Sequence, residues 1–398
     1  MRNKNMEKTK IIEDYLEKNH IDAWIIVDYE NRNKTLVSFL GEKMLTRKII
    51  MVFEKNRKPY LITHTIDTVF LKDLQDKFDL VVYKTWKEML QLEKKMFKDY
   101  KKVCMDISED GLLPRISLAD YGSVEYVKSL GIEVVSSGDL LQRFSACYDK
   151  ESYALQEEAI EKSLRIKDEA FLFIKKEIEE KGKTDEYQVQ QYISRRFHEE
   201  GMVYDDEPIV AINSNASNPH YGPTKEIHSD IAEGDCVLID MWAKMDHPKA
   251  VYSDITWMGY VGKEVPKVYE DRFQILRRAV DTAFDFLRKE LPLRDVSGYE
   301  VDDVARKVVE KSGYGEYFTH RTGHNIAVDV SPHGPGVNID NYESHDTRKI
   351  IPNISFSLEP GIYAPDFGMR SETNVYIDED KVPHMVAGRQ EHVIAILK

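Results

Sequence analysis

FTHRTGHN at 318–325, VSPHGPG at 330–336 and FSLEPGIYAPDFGMRSETNVYI at 356–377 make up the stretch from which the rest of the chain can be read. It sets His320, His324, His333, Glu359 and Glu372 in largely apolar, strand-like sequence. Ionisable groups of this kind are rarely left unpaired in a core, so something must satisfy them. Upstream, CVLID at 236–240 and VYSDITW at 251–257 put Asp240 and Asp254 in the same setting, with the polar turn KMDHPK between them. That pattern reads as a hairpin. Antiparallel pairing brings both carboxylates to one face if the register is right, because side chains alternate with period two.

Taken singly, each of these residues has a plain structural reading. A lone Asp in a strand is commonly a turn or salt-bridge residue, histidines four apart often satisfy core hydrogen bonds, and a buried Glu commonly pairs with a base. Taken together they point elsewhere. Four carboxylates gathered in a low-dielectric core repel one another and have raised pKa values, whereas two divalent cations neutralise all four charges. Asp240, Asp254, His324, Glu359 and Glu372 are therefore the candidate ligands of two divalent metal ions. Oxygen-rich coordination with one imidazole nitrogen suits Mn, Co, Fe or Zn better than Ca or Mg. Two such ions close together share a water, lower its pKa and polarise a carbonyl, which is a hydrolytic arrangement.

The surrounding chain fits a soluble globular protein. Its 398 residues are 42% hydrophobic, and the formal net charge of −14 argues against a nucleic-acid or anionic-membrane partner as a general surface property. The polar opening MRNKNMEKTK, with no long apolar run after it, predicts a cytoplasmic protein that does not cross a membrane. Three widely spaced cysteines, Cys104, Cys147 and Cys236, argue against a disulfide framework or thiolate metal site and read as buried small hydrophobes.

Strand and helix patterns alternate over the first half. RKIIMVF, KPYLIT, FDLVVY, KVCMDIS and GIEVVSS read as strands, and TIDTVFLKDLQ, TWKEMLQLEKKMF and DYGSVEYVKSLG as helices, which predicts an α/β domain with a mixed or largely parallel sheet. The pattern changes near residues 145–151, where a long amphipathic helix begins. Two domains are expected, 1–150 and 151–398.

At these residues the chain resembles the M24 metallopeptidase family, the creatinase, prolidase, aminopeptidase P and methionine aminopeptidase group. The resemblance implies an α+β protein: a C-terminal catalytic domain of the pita-bread fold, and a smaller N-terminal α/β domain of creatinase/prolidase type. It also implies a homodimer. The family's metal aspartates look like Asp240 and Asp254, its metal histidine like His324 in RTGHN, and its two glutamates like Glu359 in SLEPGIY and Glu372 in MRSETNVYI. His220 in NPHYGP resembles the histidine on the substrate side of the site, and His320 the one preceding the metal histidine. A further family histidine, facing the tetrahedral oxyanion, corresponds to either His333 or, at the usual step, Ser331.

The sequence departs from the family pattern at Trp242 in DMWAK, Trp257 in DITW, and Asn325 and Ala327 in GHNIA. The two indoles either fill core or reshape the pocket. The expected activity is hydrolysis of the bond between an N-terminal residue and proline in a dipeptide or short peptide. Glu359 takes the proton from water, His333 steadies the oxyanion, and His220 and His320 position the substrate. Two alternatives keep the fold. One is a metal-dependent hydrolase or lyase of a small non-peptide metabolite, in the manner of creatinase C–N hydrolysis; the other is a non-catalytic binding module.

Overall fold

The protein is described from a computed structural model for residues 2–398, and for side chains from Lys8 onward. It divides into two compact units, Met1–Phe144 and Ser145–Lys398. Among the described residues no helix is long and apolar enough to cross a membrane.

The first unit holds a mixed six-stranded sheet in the order Asp79–Tyr83, Tyr60–His64, Ile49–Glu54, Ala23–Asp28, Lys102–Met105, Glu133–Ser136. Ile49–Glu54 pairs antiparallel with both of its neighbours, and the outer pairings are parallel. Every residue of Ala23–Asp28 is buried, as its unbroken apolar run requires. Trp24 and Ile26 enter one core cluster, and Ile25 and Val27 the other. TIDTVFLKDLQ, read as a helix, takes the tighter 3-10 form over Asp67–Leu74. Helices Lys34–Leu40 and Gly138–Ser145 escape the sequence reading because each is too short to show a full amphipathic repeat.

The second unit is built around the hairpin of Cys236–Met245 and Ser253–Tyr260. Period two decides its two faces. Val237, Ile239, Met241, Ala243, Ile255 and Trp257 pack with residues of helices Lys150–Lys181 and Glu186–Glu199. Cys236, Leu238 and Met258 join the cluster containing helices Lys267–Glu290 and Gly298–Lys311. That second face, continued along the strands, carries Asp240, Trp242, Asp254 and Thr256.

A second sheet runs Asn325–Ile326, Ile354–Leu358, Thr373–Ile377, Pro383–Met385, all antiparallel. Its register pairs Leu358 with Thr373 and Asn325 with Phe356, so Glu359, Glu372 and His324 all stand just beyond the same end of these strands. The two sheets are stitched there. Asp254 N–H donates to Asn374 Oδ1 at 3.1 Å, and Asn374 Nδ2 donates to the Asp254 carbonyl at 2.7 Å. Gly323 is required beside His324, since a Cβ at that position would lie 1.9 Å from the Ser357 carbonyl oxygen.

Cys104 and Cys236 are buried. Cys147 is only partly so, and its thiol donates to the Pro352 carbonyl at 3.4 Å.

Candidate metal centre

The hairpin register places Asp240 opposite Thr256 and Trp242 opposite Asp254, so the two aspartates share a face one diagonal step apart. Asp240, Asp254, His324 and Glu372 are each under a tenth exposed, and Glu359 lies at the rim with 14% of its side chain open. Donor atoms of Asp254, His324 and Glu372 all lie within 4.8 Å of one another. His324 Nε2 stands 3.3 Å from Asp254 Oδ2 and 3.4 Å from Glu359 Oε1, reaching both with one nitrogen. The Thr256 hydroxyl lies 3.0 Å from Asp240 Oδ1 and 2.8 Å from Glu372 Oε2, bridging the remaining two carboxylates. All five predicted ligands thus line one cleft of about 770 Å³.

Mutual repulsion is visible in the proton affinities. Burial, then the charges of Asp240 and Glu359, push the Asp254 carboxyl well above the usual carboxylate range. Burial does the same to Glu372, reinforced by Asp254, Glu359 and Asp240. A donor set of four carboxylates and one imidazole, in which burial and mutual repulsion raise the proton affinity of Asp254 and Glu372, fits divalent cations. The other ring nitrogen of His324, Nδ1, lies 3.2 Å from the Asn325 carbonyl, so a proton on Nδ1 would leave Nε2 to face the carboxylates as a ligand.

One cation already sits among the acids. Arg370 is 5% exposed; its Nη2 pairs with Asp240 Oδ2, its Nε donates to Thr256 Oγ1 at 2.9 Å, and its Nη1 to Tyr363 Oη at 3.1 Å. Against the cost of burial, Asp240 and the other carboxylates hold its pKa well above the ordinary value. Tyr363 is pushed up to about 12 by burial and lies 2.6 Å from His320 Nε2. Burial, with Arg370 adding to it, lowers His320 to about 3, so its ring is neutral at physiological pH. Arg370, Tyr363 and Thr256 are the members of this network that the sequence reading does not single out. The only local signal for them is an arginine inside an apolar strand pair.

The accessory histidines also face the cleft. His220, His320 and His333 line it, as does Ser331. The His333 ring centroid is 4.0 Å from that of His324, and the backbone N–H of His333 donates to Ser331 Oγ at 3.3 Å. His220 rides on a loop anchored from below by Glu186, which is fully buried at the start of its helix. Glu186 accepts from Ile212 N at 2.8 Å, Asn215 Nδ2 at 2.9 Å, Tyr221 Oη at 2.5 Å and Ser229 N at 2.7 Å.

The two indoles part company. Trp242 lines the cleft and its Nε1 donates to Asp205 Oδ1 at 2.9 Å. Trp257, one residue out of phase, lies on the opposite face, packed on the helix-side core with Lys167 Nζ 3.7 Å from a ring centroid. It fills core and takes no part in the pocket. Asn325 is structural too: its side chain accepts from Gly336 N at 2.7 Å and donates to the Ser355 carbonyl at 2.8 Å.

Comparison with known proteins places this geometry. The model of metallopeptidase family M24 matches residues 158–379. A relative from Mycoplasma genitalium is 29% identical over 228 residues, 56% of this chain and 59% of that protein, so the match spans little more than half of the relative's length. The Xaa-Pro dipeptidase of Pyrococcus horikoshii is 25% identical over 383 residues, 94% of this chain and 95% of that one. The crystal structure of dipeptidase PepE from Mycobacterium ulcerans superposes with a TM-score of 0.64 at 20% identity, covering 98% of each chain. That likeness shows the fold, the α+β pita-bread arrangement.

Proposed function

Because the chain belongs to metallopeptidase family M24, we propose that it is a dinuclear-metal hydrolase cleaving the bond between an N-terminal residue and proline in dipeptides or short peptides. The observation that carries this reading is the convergence of Asp254, His324 and Glu372 donors within 4.8 Å, with Glu359 and Asp240 adjoining. Asp240, Asp254, His324, Glu359 and Glu372 would hold two divalent ions, Mn, Co, Fe or Zn. When bound, such a pair supplies Lewis acidity and a water acidified enough to attack near neutral pH.

The residues of the chain do the rest. Glu359, less buried than the other carboxylates and open to the cleft, accepts the proton of the attacking water and passes it to the leaving nitrogen. His333, against the His324 ring, donates to the oxyanion, in preference to Ser331, which supports the His333 backbone. His220 and His320 hold the substrate, and His320 enters as a neutral ring oriented by the Tyr363 hydroxyl. A cytoplasmic homodimer is the assembly this reading carries, to be checked by mass in solution and cell fractionation.

Glu359→Gln is the test. It should keep the fold and abolish Xaa-Pro dipeptide hydrolysis in metal-loaded protein; turnover at the wild-type rate rejects the assignment. A second reading, a hydrolase or lyase of the same fold for a small non-peptide metabolite, draws on Trp242, whose indole occupies the cleft wall. Cleavage of small amidines or betaine-like acids, with no cleavage of any dipeptide, would favour it.

A further inference from the structure

The metal face of the hairpin does not end at Trp242 and Asp254. Side chains alternate, so the same face is continued by Lys244, two residues after Trp242, and by Tyr252, two before Asp254. The two stand one step beyond the last paired residues, Ala243 and Ser253, with Lys244 Nζ 5.0 Å from the Tyr252 ring centroid. Both reach out of the hairpin to one loop. Lys244 Nζ donates to the Asp329 carbonyl at 2.5 Å, and Tyr252 Oη to the Val330 carbonyl at 2.9 Å. These carbonyls belong to successive residues, the second of them three positions before His333. Apolar packing does not hold that part of the loop: Val328 and Val330 are exposed, Val330 by 80%, and so is His333 itself. Beyond His333 the chain is pinned from the core instead. Buried Arg348 donates through Nη1 to the Pro335 carbonyl at 2.7 Å, and buried Asn325 accepts from Gly336 N at 2.7 Å.

We propose that Lys244 and Tyr252 are positioning residues: by gripping the Asp329 and Val330 carbonyls they set where His333 stands against the His324 ring; this rests on the role given to His333 above. Neither side chain lines the cleft, so each acts through the loop. The chemistry suits a firm anchor. An ammonium on a carbonyl makes a charge-assisted bond, stronger than one between neutral groups, and the phenol adds a second bond on the adjoining peptide. The strands that carry Asp240 and Asp254 thus also fix the loop that carries His333, and one rigid element governs the spacing of the acids and the oxyanion donor. Precision there matters, because a group misplaced by about 1 Å can cost up to about a hundredfold in rate.

The experiment measures alanyl-proline hydrolysis by the metal-loaded full chain with Lys244→Met, Lys244→Arg and Tyr252→Phe, each alone and combined with His333→Ala. Lys244→Met and Tyr252→Phe should lower kcat by roughly tenfold or more and leave KM within about twofold. Lys244→Arg, which keeps a cationic donor, should recover most of the loss. With His333 already replaced, the same substitutions should change kcat little, since the group they place is gone. Equal fold-losses with and without His333, or losses carried by KM alone, overturn the proposal and leave the hydrolase intact. A second measurement needs no turnover. Amide exchange over residues 328–334 should quicken by roughly tenfold in Lys244→Met, the worth of one bond from a charged donor, with strand Ile354–Leu358 unchanged. Unchanged exchange in both Lys244→Met and Tyr252→Phe overturns the grip whatever the kinetics show. Quickened exchange in variants of a wild type that cleaves no dipeptide upholds the grip on the loop and sinks the peptidase reading.

Discussion

Thr256 stands directly across the hairpin from Asp240, and its hydroxyl lies between the Asp240 and Glu372 carboxylates while accepting from Arg370 Nε. One small polar side chain thus spaces two candidate ligands from different sheets. Thr256→Val keeps the shape but removes the bridge and leaves a buried guanidinium donor unmatched. Metal affinity should fall about 10- to 100-fold by titration calorimetry, with the circular dichroism spectrum unchanged. Undiminished affinity would make Thr256 a passive filler.

Metal uptake should release protons. Asp254 and Glu372 have raised pKa values in the metal-free fold, so each keeps its proton to higher pH than a free carboxyl, and a cation competes with that proton. The sign for stability follows. A carboxyl raised on folding helps the fold below its unfolded value, and that help disappears as pH climbs through the folded one. Metal-free protein should therefore gain less from a rise in pH than metal-loaded protein does. Calorimetry in buffers of differing ionisation enthalpy counts the protons released, and a count of zero at every pH above the ordinary carboxylate range contradicts the shifts.

His320 acts in the opposite sense. Its folded pKa is about 3 against an unfolded value of about 6.5, so the unfolded chain binds the extra proton between those limits. Stability from the neutral ring is present above that upper limit and drains away as pH falls. Replacement by Gln should flatten the acid side of the urea-midpoint profile, sparing about 1 kcal/mol between pH 7.5 and 5.5. Parallel profiles for the two proteins would place His320 in a more open setting.

Glu186 is the latch of the His220 loop, with four donors on one buried carboxylate. Glu186→Ala strands those donors and should destabilise the second unit by about 2–3 kcal/mol. Amide exchange over residues 213–229 should quicken beyond the change elsewhere; uniform quickening would deny the loop its special dependence.

Much of this centre was legible because its members break a local rule. An aspartate closing CVLID or a glutamate within FSLEP is visible without coordinates, and so is the hairpin that joins Asp240 to Asp254. What sequence could not supply was phase and distance. Trp242 and Trp257 look alike as intrusions, yet one lines the cleft and the other packs on core, a difference fixed by register alone. Glu186 reads as an ordinary acid in a helix's first turn, and only the fold shows it buried under a loop more than twenty residues downstream. Arg370 gains its meaning from Asp240 and Thr256 on another hairpin, and Tyr363 from His320 and from Arg370 on its own.

The clasp between Asp254 and Asn374 joins strands 120 positions apart, immediately beside the acids they carry. A nascent chain halted before Glu372 holds an incomplete set of donors and a hairpin edge with nothing to seat against. Ion capture by these residues would therefore come at the close of folding in this unit, and occupancy at the centre would gauge how much of a preparation has matured.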